Sequence, residues 1–270
     1  MSSGSLNFQR TEVALQTGYR DAAAQYRRDD DIEVHSSNHD YISGVLKEIC
    51  GSFGRPISVL DVGCGTGRYF HCLTNVERLV GMDISNEMLI AAEDPVNSNE
   101  ISIHTTELIQ GNVYFSSFEP QSFDFIFSLG MFGYGCPVTT ELCDRFYSWL
   151  VPGGKLYFNV ISITNLPWLQ RLKRDAGKFI HPYIAACIHG TEVSQEEIPA
   201  FVLSQSQLEN IMTASRFKQF SVTARRCESP LWQGNLLECH AEVPTHEGDE
   251  KITTVKAAAT SKDGHSSAGY

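Results

Sequence analysis

Three glycines at alternate positions directly follow an apolar segment, and this arrangement limits the possible folds of the chain more than any other feature. The segment is Ile57-Ser-Val-Leu-Asp-Val, and the glycines are Gly63, Gly65 and Gly67. A mostly apolar run of this length is typical of a buried parallel strand. Glycines permit a tight turn with positive φ and let a ligand approach the backbone without a Cβ in the way. A strand, a glycine loop and a helix in this order form the nucleotide site of open α/β sheets.

Apolar segments continue to alternate with helical ones after the glycine loop. The strands and helices predicted there are, in chain order, 78–83, 86–93, 107–112, 123–128, 139–150 and 155–161. A turn is expected at Val151-Pro-Gly-Gly, between the last helix and the last strand. Strands that alternate with helices predict an α/β fold with a parallel, doubly wound sheet.

The segments on either side of this alternation differ from it in character. Residues 1–56 are predicted to be a helical cap segment of two helices, which the polar stretch 29–38 separates. The stretch 162–203 is a mixed insertion that we expect to cap a substrate site within a domain spanning 57–244. Residues 245–270 have little large apolar content and are predicted to be a disordered tail.

Three elements are predicted between the insertion and the tail. Ser204 and Gln207 form a capping-box pattern that opens a helix ending near Ala214. Residues 217–226 and 236–243 are predicted to be two closing strands, joined by a turn that contains Pro230 and Gly234.

Charge and composition argue against several classes of partner. The formal net charge is −11 and the chain has no basic stripe, which argues against nucleic acid as a substrate. No apolar run approaches the roughly 20 residues that span a bilayer, and the N-terminus lacks the features of a signal or transit peptide. The eight cysteines include no Cys-x-x-Cys pair, so we expect reduced thiols, no metal site and a cytoplasmic location.

The spacing of the glycines indicates which kind of nucleotide the loop holds. The pattern is Gly-x-Gly-x-Gly, whereas dinucleotide enzymes use Gly-x-Gly-x-x-Gly to place a pyrophosphate at a helix N-terminus. Asp83 ends the next predicted strand, where a carboxylate can accept both hydroxyls of a ribose. Taken alone, Asp83 is more simply an acid at a helix N-terminus, but its position after such a loop favours the ribose role.

Four motifs in order resemble those of class I S-adenosylmethionine-dependent methyltransferases. They begin at Val59 with Val-Leu-Asp-Val-Gly-Cys-Gly-Thr-Gly-Arg, at Gly81 with Gly-Met-Asp-Ile-Ser, at Phe123 with Phe-Asp-Phe-Ile-Phe-Ser, and at Leu150 with Leu-Val-Pro-Gly-Gly-Lys-Leu. The resemblance runs from about 57 to 160 and more loosely to 243. It implies a Rossmann-like sheet of seven strands, the last antiparallel, and S-adenosylmethionine as the cofactor, with S-adenosylhomocysteine as the product.

The resemblance also implies roles for individual residues. The aspartate and glycines of the first motif border the methionine moiety, Asp83 binds the ribose and Ile84 packs on the adenine. Asn112 stands where the family often has an aspartate on the adenine amine, and Tyr26 resembles a tyrosine that closes over the cofactor. The full set of implied cofactor-binding residues is Asp61, Gly63, Gly65, Gly67, Asp83, Ile84, Asn112, Val113, Ser128 and Tyr26.

No catalytic residue follows from the motifs. Candidates for a general base are Tyr134, His181 and His189, whereas His71, on the predicted helix after the glycine loop, is expected to face away from the pocket. The predicted activity is methyl transfer to an oxygen, nitrogen or carbon atom of a small molecule. Two alternatives stay open: an enzyme of the same fold with other chemistry, such as an aminopropyl transferase, cyclase or hydrolase, and a protein that binds the cofactor without turnover.

Overall fold

Two helices precede the sheet in the computed structural model, which describes residues 3–133, 135–165 and 201–245. They are α1 (Ser3–Glu33) and α2 (Ser37–Gly51). The expectation that the polar stretch from residue 29 would end the first helix is wrong by about one turn. The carboxylates of Asp30 and Glu33 are buried and hydrogen-bonded by residues from elsewhere in the chain, so tertiary contacts extend α1.

Seven strands form one mixed sheet. They are β1 (Ile57–Val62), β2 (Val76–Asp83), β3 (Ile103–Gln110), β4 (Phe123–Phe132), β5 (Leu150–Ile161), β6 (Gln219–Glu228) and β7 (Gln233–Glu242). Their order in the sheet is β3-β2-β1-β4-β5-β7-β6. Only β7 is antiparallel to its neighbours β5 and β6, while the other pairs are parallel. The predicted Rossmann-like sheet with its last strand antiparallel is therefore confirmed.

Three further helices in the described part of the chain begin at side-chain caps. They are α3 (Asn86–Ala92), α4 (Thr140–Trp149) and α5 (Gln205–Ala214), with N-caps Ser85, Thr139 and Ser204. The side chain of Ser204 accepts from the backbone N–H of Gln207, and the Gln207 side chain accepts from the backbone N–H of Ser204, so the predicted capping box is confirmed.

The helix expected directly after the glycine loop is absent. Residues 63–75 are all described, and they contain a single 3₁₀ turn, Phe70–Cys72, instead of an α-helix. The connection ends at Asn75, which turns the chain into β2 with a φ of 56°. α2 covers this part of the sheet: Leu46 and Cys50 lie in the same buried cluster as Phe70.

The turn expected at residues 151–154 is a bulge inside β5. Phe123 pairs with Leu150 and Phe125 pairs with Lys155, so four residues of β5 are opposed by one of β4. Gly153 takes a φ of 77°, which other residues rarely adopt. The glycines therefore bend the strand without ending it.

Apolar side chains cover both faces of the sheet. On one face, Leu142 and Phe146 of α4 and Leu208 and Met212 of α5 pack into one buried cluster. On the other face, the buried side of α2 belongs to a second cluster, together with Leu89 of α3. Three layers result, with the sheet in the middle.

Two predicted segments fall mainly outside the described residues. The insertion 162–203 is described only at 162–165 and 201–203, where Ser162 and Leu203 form a parallel bridge, and the tail 245–270 only at Thr245. Their predicted roles as substrate cap and disordered tail remain predictions. Across the part of the chain that the structure describes, no helix is both long and apolar enough to cross a membrane.

Candidate active site

A pocket opens where the carboxyl ends of four neighbouring strands meet. Its walls come from the loops after β1, β2, β3 and β4, with two tyrosines of α1 and part of the segment before α4. The strand order reverses at the pair β1 and β4, so the pocket lies at the topological switch point of the sheet. Ligands of open α/β sheets bind at this position.

The glycine loop forms the wall of the pocket after β1. The backbone N–H groups of Gly63 and Cys64 both donate to the carbonyl of Met82, at 2.8 and 3.0 Å, which fixes the loop against the end of β2. Gly63 and Gly65 have φ values of 74° and 54°. A Cβ on Gly65 would meet no atom within 4 Å, because this glycine borders open pocket space.

Asp83 joins this loop to the end of β2. Its Oδ2 accepts from the backbone N–H of Gly65 at 2.9 Å, and its Oδ1 accepts from the N–H of Ser85 at the same distance. Each carboxylate oxygen keeps further acceptor capacity. Burial raises the pKa of Asp83, and the backbone N–H groups that it accepts from oppose this rise.

The pocket lining has a negative balance among its described residues. Asp61 and Asp83 both line it, and Asp61 is only 3% exposed. Burial and the neighbouring Asp83 raise the pKa of Asp61 well above its usual range. The cation in the lining, Arg68, is paired with Asp30, with 2.5 Å between Nε and Oδ1. A cation bound beside these carboxyl groups would lower their raised pKa values and keep them ionised, so the pocket favours a ligand that carries positive charge over a phosphate.

The part of the pocket formed after β2 and β3 is mainly apolar. Ile84 and Met88 follow β2, and Val113 and Tyr114 follow β3. Asn112 also lines the pocket, and its Oδ1 accepts from the backbone N–H of Tyr114 at 3.1 Å, which orients the amide. The arrangement suits a planar heterocycle with apolar faces and a polar edge.

α1 contributes two tyrosines to the pocket. Tyr19 and Tyr26 line the pocket from this helix, with their ring centroids 6.2 Å apart. Asp30, on the same helix, is fully buried and accepts hydrogen bonds from the Thr66 hydroxyl and from Arg68. The helix is thus anchored directly to the glycine loop.

Eight of the ten residues proposed from the sequence for cofactor binding line this pocket. They are Tyr26, Asp61, Gly63, Gly65, Asp83, Ile84, Asn112 and Val113.

The other two, Gly67 and Ser128, lie outside the lining. A Cβ on Gly67 would stand 2.8 Å from the Phe70 ring, so this glycine serves the packing behind the loop. Ser128 is fully buried and donates to the carbonyl of Val62 at 2.8 Å, which ties β4 to β1.

Some residues that line the pocket were not predicted from the sequence, and the residues proposed as general bases are not among those that the structure describes. Tyr19, Met131 and Cys136 line the pocket, but nothing in their local sequence distinguishes them from core residues. The proposed bases Tyr134, His181 and His189 all lie outside the described residues.

S-adenosylmethionine fits the chemistry of these walls. Gly65 provides a cradle that any side chain would fill, Asp83 offers carboxylate oxygens for a ribose, and Ile84 and Val113 offer apolar contact for an adenine. The cationic sulfonium and ammonium groups suit a pocket that contains Asp61 as well as Asp83.

The comparisons with known proteins agree with this fold and site. Residues 59–154 match the family described as a methyltransferase domain. Demethylmenaquinone methyltransferase of Listeria welshimeri is 31% identical over 129 residues, which are 46% of this chain and 53% of that protein. The chain thus spans about half the length of the curated relatives it matches.

Solved structures show the same fold at low sequence identity. The DhpI–SAH complex aligns with a TM-score of 0.54 and 15% identity over 88% of this chain and 99% of that one. Phosphoethanolamine N-methyltransferase 2 of Haemonchus contortus, solved with phosphomonomethylethanolamine and S-adenosylhomocysteine, aligns with a TM-score of 0.53 and 17% identity over 76% of this chain and 52% of that one.

Fold and pocket together define a nucleotide-binding α/β domain of the methyltransferase type. More specifically, the chain contains a domain of the class I S-adenosylmethionine-dependent methyltransferase family. The resemblance seen in the sequence is therefore confirmed, and so is S-adenosylmethionine as the cofactor of this family.

Proposed function

We propose that this protein is an S-adenosylmethionine-dependent methyltransferase that transfers a methyl group to an oxygen, nitrogen or carbon atom of a small-molecule acceptor. The observation that carries the proposal is the contact between Gly65 and Asp83, which joins the cradle for the methionine moiety to the acid for the ribose. When bound, the cofactor supplies a methyl group on a positively charged sulfur that is already a good leaving group.

The protein's own contribution is to orient the two reactants and keep water out. Gly63 and Gly65 define one wall, and the contacts of Asp30 with Thr66 and Arg68 hold α1 over the pocket. Alignment of two reactants in a closed site can supply about 7–11 kcal/mol of the barrier reduction. Orientation is thus sufficient for a large share of the rate.

We use the name acceptor space for the part of the pocket lined by Tyr19, Leu129, Met131 and Cys136. The side chains there favour this positioning role over base catalysis. Burial raises the pKa of Tyr19, and burial also raises the pKa of Cys136 to about 12. Both groups therefore stay protonated at neutral pH and act as hydrogen-bond donors and apolar surface. Of the described lining residues, none is a histidine.

The acceptor space itself supports a small molecule with an apolar body. Tyr19, Leu129, Met131 and Cys136 line it, and the only charged groups in the described lining belong to the cofactor side and to the Asp30–Arg68 pair. The net charge of −11 opposes a polyanionic acceptor such as nucleic acid. The relatives named above act on different acceptors, so we infer the acceptor class from this pocket and not from them.

A cytoplasmic location belongs to the same proposal. The seven cysteines in the described residues are free thiols, six of them buried. Free thiols in this number are typical of a reducing compartment.

The proposal is tested by incubating the purified chain with S-adenosylmethionine and a panel of small molecules. Mass spectrometry should find an acceptor whose mass increases by that of one CH₂ group, together with S-adenosylhomocysteine in equal amount. Binding of S-adenosylmethionine that never leads to a methylated product, across a broad panel, would favour a non-catalytic binding protein. Transfer of a different part of the cofactor would favour another chemistry on the same fold.

A further inference from the structure

A cluster of two histidines and a cysteine lies outside the pocket. His39 belongs to α2, while His71 and Cys72 belong to the 3₁₀ turn that replaces the expected helix. The Sγ atom of Cys72 is 3.6 Å from Nε2 of His39 and also 3.6 Å from Nε2 of His71. The three potential ligand atoms all lie within 4.8 Å of one another.

These separations are close to those of a tetrahedral metal site. With zinc–nitrogen bonds of about 2.0–2.1 Å and zinc–sulfur bonds of about 2.3 Å, neighbouring ligand atoms stand about 3.3–3.6 Å apart. Both sulfur–nitrogen distances already have that value. The two imidazole rings have centroids 5.1 Å apart and an angle of 15° between their planes.

The hydrogen bonding of the cluster is poor without an ion. Cys72 has a single thiol proton for two imidazole nitrogens, and hydrogen bonds of sulfur are weak. The other ring nitrogen of His71, Nδ1, is buried and has no hydrogen-bond partner among the described residues. An ion bound at Nε2 would leave Nδ1 as it is, but it would replace the weak sulfur contacts of this imidazole by a metal bond.

We propose that His39, His71 and Cys72 bind a divalent transition metal of the zinc type, which fixes α2 to the connection between β1 and β2. The Cys72 thiol loses its proton to solvent, and the resulting thiolate and the two neutral imidazoles each form one bond to the metal. A set of two nitrogens and one sulfur favours such a metal over magnesium or calcium.

The fourth position has a ligand within reach. The Asn97 amide nitrogen is 3.4 Å from Nε2 of His71, so a half-turn of that amide would bring its oxygen to the same place. Water is the other occupant that would complete a tetrahedron. The site is structural, because Cys72 is fully buried and His39 is 5% exposed.

The proposed metal site would stabilise the connection between β1 and β2, which has no α-helix. The connection between β1 and β2 has one 3₁₀ turn and no α-helix, so it lacks the regular ladder of backbone hydrogen bonds that a helix would supply. The proposed metal would join two segments 33 residues apart, and a cross-link of this kind reduces the entropy of the unfolded chain. The expected result is a more stable connection beside the glycine loop.

Cobalt(II) provides the test, because thiolate coordination gives a charge-transfer band in the near ultraviolet and tetrahedral geometry gives intense visible bands. The full chain, treated with a chelator and reduced, is titrated with cobalt(II) and then with zinc(II). We expect one equivalent of cobalt(II) to produce both sets of bands and zinc(II) to displace it. Zinc(II) at about a hundredfold excess over its Kd should raise the Tm by about 5 °C or more.

Variants separate this cluster from the other thiols and imidazoles. Cys72→Ala should remove the charge-transfer band, and His71→Gln, at a half-buried position, should weaken cobalt(II) binding at least tenfold. The controls Cys50→Ala and His240→Gln alter a thiol and an imidazole outside the cluster and should retain both bands. Absence of a thiolate band in the unaltered chain, or its persistence in Cys72→Ala, would overturn the proposal.

Discussion

The backbone N–H of Gly65 donates to Oδ2 of Asp83 across 2.9 Å, although the two residues are 18 positions apart, Gly65 in the loop after β1 and Asp83 at the end of β2. The other oxygen of the same carboxylate accepts from Ser85 at the start of α3. Asp83 therefore shapes the glycine loop and the helix start, in addition to the ribose-binding role that we propose for it. Its removal should affect both the shape of the pocket and its charge.

Replacement of Asp83 by alanine should lower the affinity for S-adenosylhomocysteine at least about tenfold. A charge-assisted bidentate contact is worth about 1.4 kcal/mol or more, which corresponds to that factor. Calorimetry on the purified variant measures the change, with Glu87→Ala in the first turn of α3 as the control. An unchanged Kd in Asp83→Ala would mean that the cofactor binds elsewhere.

Cofactor affinity should also fall as the solution becomes more acidic, and the fall should begin at a higher pH than the ordinary pKa of an aspartate would predict. Burial raises the pKa of both Asp83 and Asp61, and the neighbouring Asp83 raises the pKa of Asp61 further. As the pH falls through a raised pKa, the carboxylate becomes protonated and its attraction for the ribose hydroxyls and for positive charge is lost. The Kd measured between about pH 8 and 5 should therefore increase towards acid.

Asp83→Asn provides the control for this pH dependence. It removes one titrating group and relieves the repulsion on Asp61, so the remaining dependence should be smaller and shifted to lower pH. The same pH profile in the variant and in the unaltered chain would show that neither carboxylate is responsible.

Gly65→Val should abolish cofactor binding and leave the fold intact. The φ of 54° is strained for a branched side chain, and the new atoms would enter open pocket space. Gly54→Val is a matched control: Gly54 has a φ of 63° and equally free space, but it lies outside the pocket. Both variants should lose similar stability in thermal unfolding, and only Gly65→Val should lose affinity. Normal affinity in a folded Gly65→Val protein would refute the role of this loop.

The sheet and the centre of the pocket could be predicted because their signals are local. The apolar run before Gly63 and the position of Asp83 at the end of the next strand are features of short segments, and parallel strands bring their carboxyl ends together. The position of Gly67 was predictable as part of the same loop, but its packing against Phe70 was not.

The contacts that escaped prediction join residues far apart in sequence. Asp30 meets Thr66 and Arg68 across 36 and 38 positions, and no pattern near Asp30 indicates these partners. The cluster of His39 and Cys72 was missed for the same reason, since metal motifs are found from short, regular spacings. The absence of an α-helix after the glycine loop could not be predicted, because the loop motif is complete and such a motif normally precedes a helix.

The anchoring of α1 by Asp30 leads to a further prediction. Asp30→Ala leaves Arg68, whose side chain is 22% exposed, and the buried Thr66 hydroxyl without their partner. Loss of one member of a buried ion pair costs about 3–5 kcal/mol, and the partial exposure of Arg68 reduces our expectation to about 2 kcal/mol. The variant should unfold at lower temperature and bind S-adenosylhomocysteine less tightly, because Tyr19 and Tyr26 lie on the same helix.

Asp31→Ala is the matched control for this helix. Asp31 forms an exposed ion pair with Arg27, and its side chain is 66% exposed, so its loss should change stability by less than about 1 kcal/mol. Equal effects of the two substitutions, measured by urea unfolding and by calorimetry, would contradict the anchoring role of Asp30.

The last prediction is that no single side chain is indispensable for the chemical step. The sulfonium needs no acid to assist its departure, and a general base contributes only about 10²–10⁴-fold where one is used. In the described lining, Tyr19 and Cys136 are held in their protonated forms by burial, which leaves them roles in orientation. Tyr19→Phe and Cys136→Ala should therefore lower kcat less than about a thousandfold.

The sequence candidates Tyr134, His181 and His189 belong to the same test, with alanine at each position and turnover measured on an acceptor found in the panel. Losses below about a thousandfold at every position would agree with catalysis by alignment, for which the available gain of about 7–11 kcal/mol is large. The discriminating measurement is the pH dependence of kcat in any variant with a greater loss. A much larger loss at one position, with binding of cofactor and acceptor intact and the acidic limb of the kcat profile abolished, would identify a true general base and refute the prediction.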